Sequence, residues 1–258
     1  MFAVDSWLSV CCVYFRSLGL ANLRAALYSV RRQELDSVRE LVVVDNDTGD
    51  TEGSVRDIVD ALDFPVPVRV LSFNHGDPTK THAWSTNKAV HATDTPWVMF
   101  TRADYLLRFD ALRLFSSVVG RNREWNGFVT GNGYHLSMGV DEAEQTAWRT
   151  LGPRVLLGYP GMEYDYSVVD TGVWMASRAA FDAVGGMDEA LSAWGHAQTE
   201  FQHRLHKAGT EFIRIPEVLF FHPFHGAPRD IDVAHAQLEA RGVSLKEMWA
   251  RYHGTSPY

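Results

Sequence analysis

The sequence predicts an α/β protein with a Rossmann-like, mostly parallel sheet flanked by helices, on three observations. The first hundred residues alternate strand-like apolar runs with helix-like stretches. The run "ELVVVD" (40–45) is short, nearly all apolar and followed by the polar turn "NDTGDTEG" before a helical stretch. A third run, "VPVRVLSF" (66–73), opens on Pro65 and Pro67 and gives way to the polar loop "NHGDPTK" and another helix. Alternation of this kind implies parallel strands joined by right-handed crossovers, with ligands beyond the strands' C-terminal ends.

Element by element, "WLSVCCVYF" (7–15) is the first strand, and "ANLRAALYSVRRQ" (21–33) sets Leu23, Ala26, Leu27 and Val30 at helical spacing. "SVRDIVDAL" and residues 81–92 are the next helices, and Trp97–Phe100 a fourth, buried strand. Asp110 is placed to cap a helix through Val119, and "WNGFVTGNG" reads as a strand. Residues 132–165 have loop composition, and a loop that long in a compact domain points to function. "SVVDTGVWMAS" is a strand, Ser177 starts a helix, and the paired glycines of "VGGMDEAL" break it. "AQTEFQHRLHKAG" is a helix ended by Gly209, followed by two strand-like pieces, "EFIRIP" and "VLFFHPFH". The tail from Asp230 reads as two short helices divided by Gly242.

At 258 residues, 46% hydrophobic and 22% charged, the chain has the composition of a globular protein with a sizeable core. A net charge of −8 argues against nucleic acid or an anionic membrane as partner, although it leaves a local phosphate site open. The only cysteines, Cys11 and Cys12, are adjacent on a strand, where neighbours face opposite sides; buried thiols in a reducing compartment are expected. With no leader-like N-terminus and no long apolar run, a cytoplasmic chain without a membrane span is expected.

The fourth strand ends on "TRAD", placing Arg102 and Asp104 two residues apart and so on one face of an extended chain. The strand ends Tyr14/Phe15, Asp45/Asn46 and Arg102–Asp104 are expected to converge on one cleft.

Four segments in order resemble the GT-A glycosyltransferases, particularly the inverting family 2 and its relatives, over about residues 7–225. "LSVCCVYFR" stands where that family has a strand ending at the donor base. "ELVVVDNDTGDT" resembles its "VVDNGSTDGT", and "TNKAVHATDTPWVMFTRAD" has the spacing that leads to its D-x-D motif. "AAFDAVGGMDEALSAWGHAQTEFQHRL" is similar to "GGFDE…WG-x-E-D-x-E-F-x-x-R-L", a segment also of galactosyltransferase type. The resemblance implies a GT-A fold, with a nucleotide-sugar-binding half (1–105), an acceptor-binding half (106–228) and a helical tail (229–258) in one compact unit. It also implies transfer of a sugar from a nucleotide-diphosphate donor, UDP-linked by expectation, to a glycan, peptide or small-molecule acceptor.

The chemistry accounts for the residue types. A nucleoside diphosphate gains negative charge as it leaves, so a divalent cation or fixed positive groups must stabilise it, and carboxylate oxygens suit Mn²⁺ or Mg²⁺. By resemblance Asp104 ends the D-x-D motif and is the metal ligand, with His222 a second one and His225 a weaker one. Asp45 and Asn46 would contact base or ribose, although an Asx-turn explains them too; Tyr14 and Phe15 would stack on the base or simply pack. Asn87 falls near the diphosphate, with Lys80 and Lys88 as phosphate partners. Trp194, Trp174 and Tyr164 offer apolar faces to sugar C–H groups, core packing being the better account of Trp174. Asp170, with Glu163 and Asp165, is placed to bind acceptor hydroxyls or to sit solvated in its loop.

Two departures stand out. Arg102 occupies the first D-x-D position, where its guanidinium either pairs with Asp104 or replaces part of the metal's charge and weakens the need for metal. Ala197-Gln198 stands where the family has its acidic pair, and Gln198 cannot serve as general base. Either Glu200 or His196 supplies the base, or the reaction retains configuration, or the chain binds a sugar nucleotide without turnover. A sugar-phosphate nucleotidyltransferase would need a glycine-rich basic loop after the first strand, and "VYFRSLGLAN" is not one.

Overall fold

The computed structural model describes residues 6–46, 52–77, 80–136, 164–165, 172–191, 197–222 and 236–244. The first part of the chain forms β1 (Leu8–Phe15), α1 (Leu20–Arg31), β2 (Val38–Asn46), α2 (Glu52–Leu62), β3 (Val68–Phe73), α3 (His82–His91) and β4 (Trp97–Arg102). There follow β5 (Leu106–Leu107), α4 (Ala111–Val119), β6 (Gly127–Leu136), β7 (Tyr164–Asp165), β8 (Trp174–Ser177), α5 (Arg178–Ala183), α6 (Ala197–Lys207) and β9 (Glu211–His222).

Among the described residues the nine strands belong to one sheet, ordered β3-β2-β1-β4-β8-β6-β9-β5, with β7 beside β6. The first four are parallel, and every residue of β1 is buried, as a strand covered on both faces requires. After β3 the chain returns through α3 to lay β4 on the other side of β1. Strand order reverses there, and sheets of this kind bind ligands beyond the strands' C-terminal ends at such a point. Beyond β4 the sheet changes character: β8 is antiparallel to β4, β6 antiparallel to β8, and β9 parallel to β6.

The core between the sheet and its helices is strongly aromatic. Trp174 stacks on Phe100 with ring centroids 5.1 Å apart, and Phe201 of α6 packs on Trp174 and Phe181 at 5.6 and 5.4 Å. Cys11 and Cys12 are free, buried thiols, and burial pushes Cys11 up to about 12 and Cys12 higher still.

Two local expectations are corrected. The pieces "EFIRIP" and "VLFFHPFH" form one strand, β9, with Pro216 in an irregularity: the register against β6 jumps from Thr130↔Arg214 to Asn132↔Leu219. Asn132 holds the irregularity, accepting from Arg214 Nε at 2.7 Å and donating to the Pro216 carbonyl at 3.0 Å. Only glycine fits at position 131, where a Cβ would lie 2.4 Å from the Val218 carbonyl oxygen. Asp110 precedes α4 but its carboxylate does not cap it, being taken by Arg108 Nε and Nη2 at 2.5 and 2.9 Å. Gln33, at the end of α1, accepts the Leu112 N–H at 3.0 Å instead. Ser177 does cap α5, its hydroxyl accepting from the Ala180 N–H at 3.0 Å.

Among the described residues no helix is long and apolar enough to cross a membrane.

Candidate functional site

The site is assembled by strand register. Val13 of β1 pairs with Arg102 of β4, while Tyr14 and Phe15 pair with Asp45 and Asn46 of β2. β1 and β2 therefore end level and β4 stops two residues short of them, the bond from the Ala103 N–H to the Val13 carbonyl (2.9 Å) carrying the pairing one residue past β4. On the far side, β5 pairs antiparallel with β9 through Leu106↔Phe221, and one step further sets Tyr105 opposite His222. Their rings stack at 4.8 Å and 17°.

At this junction Arg102, Asp104 and His222 form one buried cluster. Arg102 grips Asp104 with both arms of its fork, Nε to Oδ1 at 3.0 Å and Nη2 to Oδ2 at 2.9 Å. His222 Nε2 donates to the same Oδ2 at 3.0 Å. Arg102 Nη2 also donates to Tyr105 Oη at 3.2 Å, and the guanidinium carbon lies 4.8 Å from the Tyr105 ring. The side chains of Arg102 and Asp104 are 7% and 0% exposed. A carboxylate this deep requires partners for its charge, which the fork and the imidazole provide. Gly172 makes room for Tyr105: a Cβ there would lie 2.0 Å from the tyrosine ring.

His82, the first residue of α3, belongs to the same environment. Burial, followed by the positive charge of Arg102 and opposed by Asp104, drives its imidazole down to about 3, so it is neutral at ordinary pH. The Tyr14 phenol is pushed up to about 12, by burial and then by Asp45, against Arg16.

The remaining expected residues separate into groups. Asn46 anchors the loop after β3: its Nδ2 donates to the Lys80 carbonyl at 2.7 Å and its Oδ1 bonds His75 Nε2 at 2.8 Å. Because His75 Nδ1 accepts the Asp77 N–H at 2.9 Å, Nε2 is the nitrogen that carries the proton given to Asn46. Asn87 braces α3 against the segment after α5, exchanging bonds with the Met187 backbone (2.9 and 2.8 Å) and donating to Glu189 at 2.8 Å. Lys80 and Lys88 lean on Trp84, 5.7 and 5.4 Å from its ring.

Glu200 is gripped by Arg204 one helical turn on, at 2.6 and 2.8 Å, and Arg204 also donates to the Val184 carbonyl at 2.5 Å. Glu200 lines a cleft of ≈ 570 Å³ with Gly185, Met187 and Lys207. Gln198 is buried at the start of α6. Asp170, Trp194 and His196 lie outside the described residues, as do Glu163 and His225. Sequence reasoning missed Tyr105 and His82. For Tyr105 the available signal was its place directly after the "RAD" triplet.

The expected divalent ion can be tested against this donor set. Both oxygens of Asp104 already accept N–H groups from a fixed cation, and two like unit charges about 4 Å apart repel by about 4 kcal/mol at an effective dielectric constant near ~20. Among the described residues no three His, Cys, Asp or Glu side chains are arranged to hold a metal ion. As built from the described residues, the cluster does not fit a divalent cation.

The fold and the position of this cluster define an α/β protein with its site at the carboxyl ends of parallel strands. The family model described as glycosyl transferase family 2 matches residues 9–182, more than half of the chain, and the chain belongs to that family. A second model, the N-terminal domain of galactosyltransferase, matches residues 153–225. Among curated proteins none matches at a significant level. Solved structures similar in fold include a mannosyltransferase of Pyrobaculum calidifontis in complex with GDP-mannose and Mn²⁺. It has a TM-score of 0.57 and 17% identity over 97% of this chain and 66% of that one. Another is TarS of S. aureus (residues 1–349), at 0.57 and 13% over 84% of this chain and 60% of that one. The chain thus spans at most 66% of the length of either neighbour, and both support the GT-A fold.

Proposed function

We propose that the protein transfers a sugar from a nucleotide-diphosphate donor, with UDP-sugars the leading class, to an acceptor hydroxyl. The observation that carries this reading is the Arg102–Asp104–His222 cluster at the end of β4, level with Asp45 and Tyr14 at the reversal of strand order. The donor's base would lie over the ends of β1 and β2. There the Asp45 carboxylate, paired in register with Tyr14, would accept an N–H from uracil or guanine. The diphosphate would lie toward Arg102, where fixed positive charge stabilises the developing negative charge of the leaving group. His196, Asp170 and Trp194 remain proposals for the acceptor side. For Glu200 a role as base would require release from Arg204, whose fork holds both carboxylate oxygens.

The support is family membership together with this placement. The test is calorimetric binding of a panel of UDP- and GDP-sugars, followed by release of UDP or GDP with and without added acceptors. Binding and release that both fall at least about a hundredfold in Asp104→Ala support the reading.

A second reading is favoured by a specific observation: the positions expected to be acidic at both ends of the site hold Arg102 and Gln198. On this reading the chain binds sugar nucleotides without turnover. Tight binding with no hydrolysis or transfer above the D104A background would select it.

A further inference from the structure

We propose that the Arg102 guanidinium takes the place of a divalent cation at the diphosphate end of the site, so that this chain binds a nucleoside diphosphate without metal. This rests on the transferase reading and deepens it. The first support is geometric. Nε and Nη2 of Arg102 occupy both oxygens of Asp104, at 3.0 and 2.9 Å, and His222 adds a third donor on Oδ2 at 3.0 Å. The oxygens a hard cation would bind are therefore already shared among N–H donors, and a cation would have to displace a bidentate pair.

The second support is rigidity. Arg102 lies in register with Val13 of β1, its Nη2 donates to Tyr105 Oη at 3.2 Å, and the Tyr105 ring lies 4.8 Å from the guanidinium carbon. Tyr105 is itself held between the His222 ring and Gly172, where a Cβ would strike it. A guanidinium fixed on a strand end is preorganised positive charge, and burial strengthens its field compared with water.

The third support is charge balance. One arginine and one aspartate sum to zero, as do two carboxylates and one divalent cation. A metal added to the pair would leave an excess of two positive charges beside a fixed guanidinium.

The experiment uses the full chain with UDP and GDP as probes, titrated calorimetrically in EDTA and in Mn²⁺. Mn²⁺ alone is titrated in parallel and read by electron paramagnetic resonance. The expected result is that whichever nucleotide binds does so with a Kd changed less than about threefold between EDTA and Mn²⁺, and that the nucleotide-free protein takes up no stoichiometric Mn²⁺. R102D sets a second carboxylate two residues before Asp104. It should lose about tenfold or more in affinity in EDTA, regain it with Mn²⁺, and bind Mn²⁺ on its own. Wild-type binding that appears only with Mn²⁺ overturns the inference and leaves the transferase reading standing. Binding of neither nucleotide in either condition overturns both. If R102D does not fold, the wild-type comparison still decides the matter.

Discussion

Two arginine–carboxylate forks of nearly the same geometry lie in different parts of this molecule. Arg102–Asp104 closes at 3.0 and 2.9 Å on a strand end, and Arg204–Glu200 at 2.6 and 2.8 Å along a helix. Their neighbours separate them. The first has His222 on the carboxylate, Tyr105 against the guanidinium and a neutral His82 nearby, all at the carboxyl ends of the parallel strands. The second ties α6 to the Val184 carbonyl after α5, with an arginine that is 27% exposed. The same ion pair braces a helix in one place and, on the proposed reading, presents a fixed charge to the donor at the strand ends in the other. What distinguishes them is the register that brings other elements to them.

The largest expected effect comes from breaking the strand-end fork. Arg102→Ala leaves the Asp104 carboxylate buried without its main cation and should cost about 3–5 kcal/mol in urea unfolding. Replacing both members with apolar residues, R102L/D104L, should recover most of that stability while nucleotide binding stays lost. If the double variant binds nucleotide as the wild type does, the pair is structural only. The helix fork should respond differently. Arg204→Met is expected to cost about 1.5–3 kcal/mol while changing nucleotide affinity by less than about twofold. A large loss of affinity in this variant would erase the distinction between the two forks.

A steric change ranks next. Gly172→Ala drives a methyl into the Tyr105 ring and should destabilise by about 1–3 kcal/mol, with weaker nucleotide binding as the ring and guanidinium shift. His82 sharpens the comparison through pH. Its folded value, near 3, lies below its unfolded value near ~6.5, so the unfolded chain binds the extra proton. Stability assigned to neutral His82 is intact above about pH 6.5 and is lost as pH falls toward about 3, by up to about 1.4 kcal/mol per unit. The stability difference between wild type and His82→Gln should therefore be flat above about pH 7 and drift toward the variant in acid. A difference independent of pH would place His82 outside the field described. The smallest effect is expected for Tyr105→Phe, which removes the Arg102–Oη bond and keeps the ring stack, costing about 1 kcal/mol.

Legibility in the sequence divides along the same line as the sheet. The parallel half is readable because each strand is a short apolar run closed by a polar turn, and the meeting of Tyr14, Asp45 and Arg102 follows from the parallel register that pairs Tyr14 with Asp45 and Val13 with Arg102. The antiparallel half was less so. β9 read as two strands because Pro216 signals a break, whereas a side chain 84 residues away, Asn132, holds the irregularity together. Asp110 reads as the cap of α4, and the Leu112 N–H in fact goes to Gln33, two residues past the end of α1.

The candidate site shows the same limit. Strand periodicity puts Arg102 and Asp104 on one face, whereas β4 ends at Arg102 and a turn closed by the Tyr105 N–H on the Arg102 carbonyl (3.1 Å) brings Asp104 back to the guanidinium; the signal for His222 is family resemblance. The contact between His222 and Asp104 depends on the β5–β9 register, which no local pattern encodes. Tyr105 and His82 reach the cluster only through that register and through the return of α3 across the sheet.

The most direct measurement is arginine side-chain nuclear magnetic resonance of the full chain during titration with UDP or GDP. Both forks donate Nε–H to a carboxylate, so each offers a resolved reporter in the same sample. The account predicts that the Arg102 Nε–H signal shifts with saturation while the Arg204 signal stays in place. A shift at Arg204 with Arg102 unmoved would contradict it.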